Sequence, residues 1–273
     1  MKNFILLVVF SSFFKVLGQG YEKKLFINEN DTLPYRILLP QKIIKGEKYP
    51  LVIFLHGIGE RGNDNELQLI HGSTLFLKEN NLKKFPSYVI FPQCPIDSTW
   101  PTLLEKTKGI EYHLKQYSNN PKENETLELL EKLIKFLTDN NQINTSKIYV
   151  GGLSMGGMGT YELVYRNPFL FAAAFSICGA ANPSIARKLS YTNWKIFHGD
   201  SDVVVPVTHS INMFDSIKTY TSNVSLKIYP GVNHNSWENV FKEPDFLNWL
   251  YSCLLYTSPS PRDLSTSRMP SSA

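Results

Sequence analysis

The chain has 273 residues, 42% hydrophobic and 19% charged, a balance that suits one large domain with its own core and excludes a disordered chain. Its formal net charge is +4, with the lysines scattered and never gathered into a basic block, so the charge reads as solubility and no nucleic-acid partner is expected. The cysteines form no C-x-x-C pair and point to no metal or redox motif.

In chain order, "MKNFILLVVFSSFFKVLGQG" opens with one lysine and then an apolar run from Phe4 to Phe14. That run is too short to span a bilayer and has the length of a signal-peptide core. Residues 1–18 are therefore read as a signal peptide, with cleavage after Gly18 or Gly20 and Lys15 as an untidy feature. No other stretch reaches membrane-spanning length, so a secreted or periplasmic protein is expected.

Residues 21–39 read as two short strands around the turn "NENDTLP". Apolar runs bounded by turns follow: "PLVIFLHG", "YVIFPQ", "KIYVGG", "FAAAFSICG", "WKIFHGD" and "VSLKIYPG". Most are continuous rather than alternating, as in strands of a parallel sheet buried on both faces. Helical patterns lie between them. "ETLELLEKLIKFL" sets Leu127, Leu130, Ile134 and Leu137 on one face, "MGTYELVYRN" follows a glycine-rich stretch, and "THSINMFDSIKTY" follows "VVPV". Alternation of strands and helices gives a single α/β domain over 21–251, a mostly parallel sheet with helices on both faces. The polar run "KQYSNNPKEN" reads as a surface loop. From Cys253 on, "CLLYTSPSPRDLSTSRMPSSA" loses every element pattern. Residues 253–273 are accordingly set aside as a non-native, disordered tail that contributes nothing to the fold. Cys94 and Cys178 remain, as one disulfide or as two buried thiols.

The chemistry centres on "VGGLSMGGMGTYEL", a strand, a tight turn and a helix. Gly152 and Gly156 flank Ser154 as G-x-S-x-G, the sharp turn that lifts a serine hydroxyl above a sheet at the N-terminus of a helix. A P-loop would need a Gly-Lys-Ser/Thr ending, and a dinucleotide fingerprint would need glycine where Glu162 stands; neither is present. Downstream, "FHGDSDVVVPV" offers Asp200 and Asp202 in a loop after a strand, and "YPGVNHNSW" offers His234 after the next strand. Serine, acid and histidine thus arrive in the chain order that an α/β-hydrolase site requires. After the early strand "LVIFL", His56-Gly57-Ile58-Gly59 can turn backbone N–H groups inward. Ile58 and Met155 are the expected oxyanion donors, with Gly59 in place of Ile58 as the fallback, and His56 is read as structural. Trp100, Trp237 and Met155 are candidate pocket residues, with core packing as the alternative. His198, Asp200 and Asp202 alternate without matching a metal loop, so no cofactor and no metal are expected.

"FLHGIGERG", "FPQCP", "GLSMGGMGTYEL", "HGDSDVVVPV" and "YPGVNHNSWE" together resemble the α/β-hydrolase superfamily, in its small exported branch of carboxylesterase, dienelactone-hydrolase-like and prolyl-oligopeptidase-like enzymes. The resemblance spans Leu51 to Glu238. It implies Ser154 as nucleophile and His234 as base. It also implies the acid of an Asp-x-x-Val-Pro motif, which is Asp202 in "DVVVP" here, with Asp200, two residues earlier in the same loop, kept as the alternative. The expected activity is hydrolysis of carboxylic esters, on small molecules or on acylated polysaccharides, since no long lid insertion separates "SICGAANPS" from "WKIF". A serine peptidase and a catalytically dead binding module are the two alternatives.

Overall fold

The computed structural model describes residues 20–102 and 124–255. The proposed signal peptide, most of the "KQYSNNPKEN" loop and residues 256–273 lie outside them.

The described strands are β1 (Glu22–Asn28), β2 (Asp31–Leu38), β3 (Tyr49–Leu55), β4 (Tyr88–Pro92), β5 (Ile143–Leu153), β6 (Ala173–Ile177), β7 (Asn193–Gly199) and β8 (Val224–Tyr229). They form one sheet in the order β1-β2-β4-β3-β5-β6-β7-β8. The β1–β2 and β2–β4 pairs are antiparallel, and every pair from β4 to β8 is parallel. The helices are α1 (Ser73–Leu77), α2 (Glu79–Lys84), α3 (Glu125–Asn140), α4 (Met155–Arg166), α5 (Ala186–Leu189), α6 (Thr208–Lys218), α7 (Trp237–Val240) and α8 (Phe246–Ser252).

Burial on both faces explains the unbroken apolar strands. Leu51, Ile53 and Leu55 of β3 face the layer of α3 and α4, where they meet Leu130, Ile134 and Tyr161. Val52 and Phe54 face the other layer, with Phe76 of α1 and Phe246 and Leu250 of α8. The stripe expected on α3 is fully realised, with Leu127, Leu130, Ile134 and Leu137 all buried. Asn124 caps this helix by accepting from the Leu127 N–H at 2.9 Å. Arg166 at the end of α4 grips Glu131 of α3 through two N–H groups at 2.7 and 2.9 Å, fixing the helix layer over the sheet.

Three local readings change. The first hairpin turns on Glu29–Asn30 alone, with Glu29 at φ 55, and Asp31 and Thr32 already pair with Asn28 and Ile27. The turn expected over "NENDTLP" is shorter because the Asp-Thr pair extends the strand. β8, the sheet edge, is largely exposed: Val224 and Leu226 are half-buried, Ser225, Lys227 and Ile228 are exposed, and only Tyr229 is buried. The tail boundary also moves. The Cys253 carbonyl accepts from the Tyr149 hydroxyl at 2.9 Å, the Leu255 N–H donates to the Ser146 carbonyl at 3.0 Å, and both side chains lie against the core beneath α8.

Candidate active site

The strands β3, β5, β7 and β8 all end on the side of the sheet where the four motif loops gather. β5 runs into Ser154, which sits at φ 53 and ψ −119, a conformation unfavourable for a side-chain-bearing residue. Its N–H is held by the Ile177 carbonyl at 2.8 Å. The flanking glycines are required by space. A Cβ on Gly152 or on Gly156 would run into the backbone carbonyl of Leu55, so strand β3 and the start of α4 can approach only because both positions lack one.

His234, in the loop after β8, places Nε2 2.9 Å from Ser154 Oγ and Nδ1 2.7 Å from Asp202 Oδ2. The Asp202 side chain is fully enclosed, whereas that of His234 is 18% exposed. A carboxylate only accepts, so Nδ1 carries the proton and Nε2 is free to accept from the serine. Asp202 Oδ1 accepts from the N–H groups of Val204 and Val205 at 2.8 and 2.9 Å. Burial pushes the Asp202 carboxyl up, but hydrogen bonds from His198 and His234, with those two amides, outweigh it and hold the group well below the usual carboxylate range. The three side chains form the hydrogen-bonded arrangement of a serine-hydrolase triad.

A family model described as phospholipase/carboxylesterase matches residues 42–251. The chain belongs to that family. A thermostable esterase of known structure is 31% identical, with a TM-score of 0.77 over 86% of this chain, and the chain spans 63% of that esterase's length. A ferulic acid esterase from Anaeromyces mucronatus, solved with ferulic acid, is 18% identical with a TM-score of 0.63, over 85% of this chain and 90% of its own. An acylaminoacyl peptidase is 16% identical with a TM-score of 0.58, over 90% of this chain and 44% of its own. The last two share the fold.

Within this phospholipase/carboxylesterase fold the other sequence-derived candidates separate cleanly. Asp200 is exposed and turned away, accepting from the Gly231 N–H at 2.7 Å and the Ser201 hydroxyl at 3.0 Å, so it braces the loop after β8. Asp202-Val203-Val204-Val205-Pro206 fits Asp-x-x-Val-Pro without insertion, with Val203 turned outward, 82% exposed, and Val205 buried. Met155 opens α4, where its N–H lacks an intrahelical partner. Ile58 and Gly59 lie in a 3-10 turn, Ile58–Glu60, directly after His56 and Gly57. His56 is structural. Its Nε2 accepts from the Cys94 N–H at 2.9 Å and its Nδ1 donates to the Gly57 carbonyl at 2.6 Å. Burial, only partly opposed by that second bond, lowers it to about 4, so the ring is neutral at physiological pH.

Of the two tryptophans, Trp100 is fully enclosed, with its ring edge-on to His56 at 5.3 Å. A side chain with no accessible surface does not line an open pocket, and the same holds for the Met155 side chain, also 0% exposed. Both are core residues. Trp237 stands beside the base, its ring edge-on to His234 at 5.7 Å and 5.0 Å from the ring of His71.

Two residues had no part in the site as read from the sequence. Asn233 Oδ1 accepts from both the His234 and Val203 N–H groups, at 2.7 and 3.1 Å, tying the base loop to the acid loop. Its position next to His234 was the only available signal. His198, at the end of β7, places Nε2 3.1 Å from the same Oδ2 of Asp202 that His234 reaches. Cys94 and Cys178 are both buried and unpaired. Among the described residues, Cys178, Asp202 and His234 are the one group of three side chains able to share a metal, and two of them are already engaged in the triad.

Proposed function

We propose that this chain is an exported serine carboxylesterase that hydrolyses small or polysaccharide-borne esters through an acyl-enzyme. The observation that carries the reading is the relay from Ser154 Oγ through His234 to Asp202, at 2.9 and 2.7 Å. Ser154 attacks the ester carbonyl as His234 Nε2 takes its proton, and Asp202 keeps the imidazole in the Nδ1–H tautomer and stabilises the imidazolium. The N–H groups of Met155 and Ile58 supply the oxyanion site, with Gly59 in place of Ile58 as the fallback. His234 then protonates the departing alcohol and activates water to release the acid. Trp237, beside the base, forms one wall of the leaving-group side. Export is supported by the apolar run Phe4–Phe14, and the mature chain then begins between Gln19 and Tyr21.

The test is turnover of a short-chain aryl ester, a feruloylated polysaccharide and a peptide panel by wild type and Ser154→Ala. The reading expects ester hydrolysis, lowered roughly 10⁴-fold in kcat by the substitution. Cleavage of peptides alone would hand the site to a peptidase. No turnover by a folded, monodisperse wild type would leave a binding module.

A further inference from the structure

Asp202 Oδ2 carries two imidazoles. Besides His234 Nδ1 at 2.7 Å it faces His198 Nε2 at 3.1 Å, and His198 Nε2 also faces the Val205 carbonyl at 2.8 Å. Neither a carboxylate nor a carbonyl can donate, so Nε2 of His198 must carry a proton, shared between the two oxygens. On the other side of the ring, Nδ1 lies 2.7 Å from Ser210 Oγ in α6. The same hydroxyl also lies 3.4 Å from the Gly179 carbonyl. His198 and the Asp202 side chain are both fully enclosed, so no water competes for these bonds.

We propose that His198 is a positioning residue of the triad, acting through Asp202 to orient Oδ2 toward His234 and to moderate how strongly the carboxylate holds the proton on His234. The proposal rests on the serine-hydrolase reading above. The Val204 and Val205 amides fix Oδ1, and His198 supplies the second point that stops the carboxylate from swinging about them. It also takes part of the negative charge on Oδ2. Without that donor the oxygen becomes a stronger acceptor, the imidazolium form of His234 is favoured, and the base stays protonated to higher pH.

The other groups around the pair do not imitate this effect. The Cys178 thiol, just after β6, is pushed up by burial, and His209, in the first turn of α6, is pushed down by burial and by His198. Both are uncharged at neutral pH. On its far side His234 meets the uncharged ring of Trp237.

The experiment compares wild type, His198→Phe and His198→Gln as full chains, with kcat/KM on p-nitrophenyl acetate measured across pH. Glutamine restores a donor at the reach of Nε2; phenylalanine fills the space without one. The acid limb of His198→Phe should move to higher pH by about half a unit or more, and that of His198→Gln should stay near wild type. An unmoved limb in both variants, or one displaced equally in both, would overturn the proposal. Should His198→Phe fail to fold, the imidazole nitrogens of the wild type decide by two-bond ¹⁵N–¹H correlation. Protonation of His198 at Nε2 supports the proposal and a bare Nε2 overturns it, whether or not the chain turns over any ester.

Discussion

Replacing Asp202 by asparagine changes one oxygen to an NH₂ group in a place where all four hydrogen-bond partners are donors. Oδ1 accepts from the Val204 and Val205 amides, and Oδ2 from His234 and His198. Whichever way the amide turns, its NH₂ meets two N–H groups. The backbone amides cannot adapt, but His234 can shift its proton from Nδ1 to Nε2. The asparagine therefore settles with NH₂ toward the histidines, and His234 presents an Nε2–H that cannot accept from Ser154. The nucleophile is untouched, so the loss is that of the correct tautomer and of the charge facing the imidazolium. That amounts to a 10²–10⁴-fold fall in kcat, or roughly 3–5 kcal/mol of barrier. Asp200→Asn is the control, because Asp200 braces only Gly231 and Ser201, and it should cost less than about threefold. The assay is steady-state hydrolysis of a short-chain aryl ester by both variants, with folding checked by circular dichroism. A severe Asp200→Asn, or an Asp202→Asn within tenfold of wild type, would refute the assignment of the acid.

Three further outcomes follow from packing and burial. Gly156→Ala drives a methyl group into the backbone of Leu55 and His56, and should lower stability by about 3 kcal/mol, seen as a fall of about 10 °C in the melting temperature. His56 binds a proton below about 6.5 in the unfolded chain but only below about 4 in the folded one, so between these values the unfolded state holds more protons. Stability should therefore fall as pH drops through that window, by up to about 3 kcal/mol, and urea unfolding of His56→Asn should show a shallower pH slope. A chain ending at Ser252 loses the Tyr149–Cys253 and Ser146–Leu255 hydrogen bonds, and should be about 1–2 kcal/mol less stable in thermal melts than one ending at Leu255.

What was legible in the sequence is what local constraint writes into it. Glycines at 152 and 156 are demanded by a carbonyl that no side chain could pass, and the β5–Ser154–α4 unit follows from them. Unbroken apolar runs mark strands covered on two faces, which is why β3 to β7 could be read and why the half-exposed edge strand β8 departs from the rule. The short helices α1, α2, α5, α7 and α8 have too few turns to display a periodic face. The Asp-x-x-Val-Pro spacing pointed to Asp202, but that Asp202 meets His234 while Asp200 turns to Gly231 and Ser201 is decided only by how the loop after β7 folds. Trp100 and Trp237 are alike in a string of letters, yet one is sealed against the ring of His56 and the other stands against that of His234. His198 was seen only as part of a His-x-Asp-x-Asp alternation. Its role depends on the carboxylate curling back by four residues to meet it, a contact made by the turn after β7.

The central claim, an activated serine at the head of β5–α4, is tested most directly by labelling. The full chain is treated with a fluorophosphonate probe, digested, and the modified residue located by mass spectrometry. The account predicts one adduct, on Ser154, absent from Ser154→Ala and strongly slowed in His234→Ala. A folded wild type that takes up no probe, or an adduct on any other serine, would contradict it.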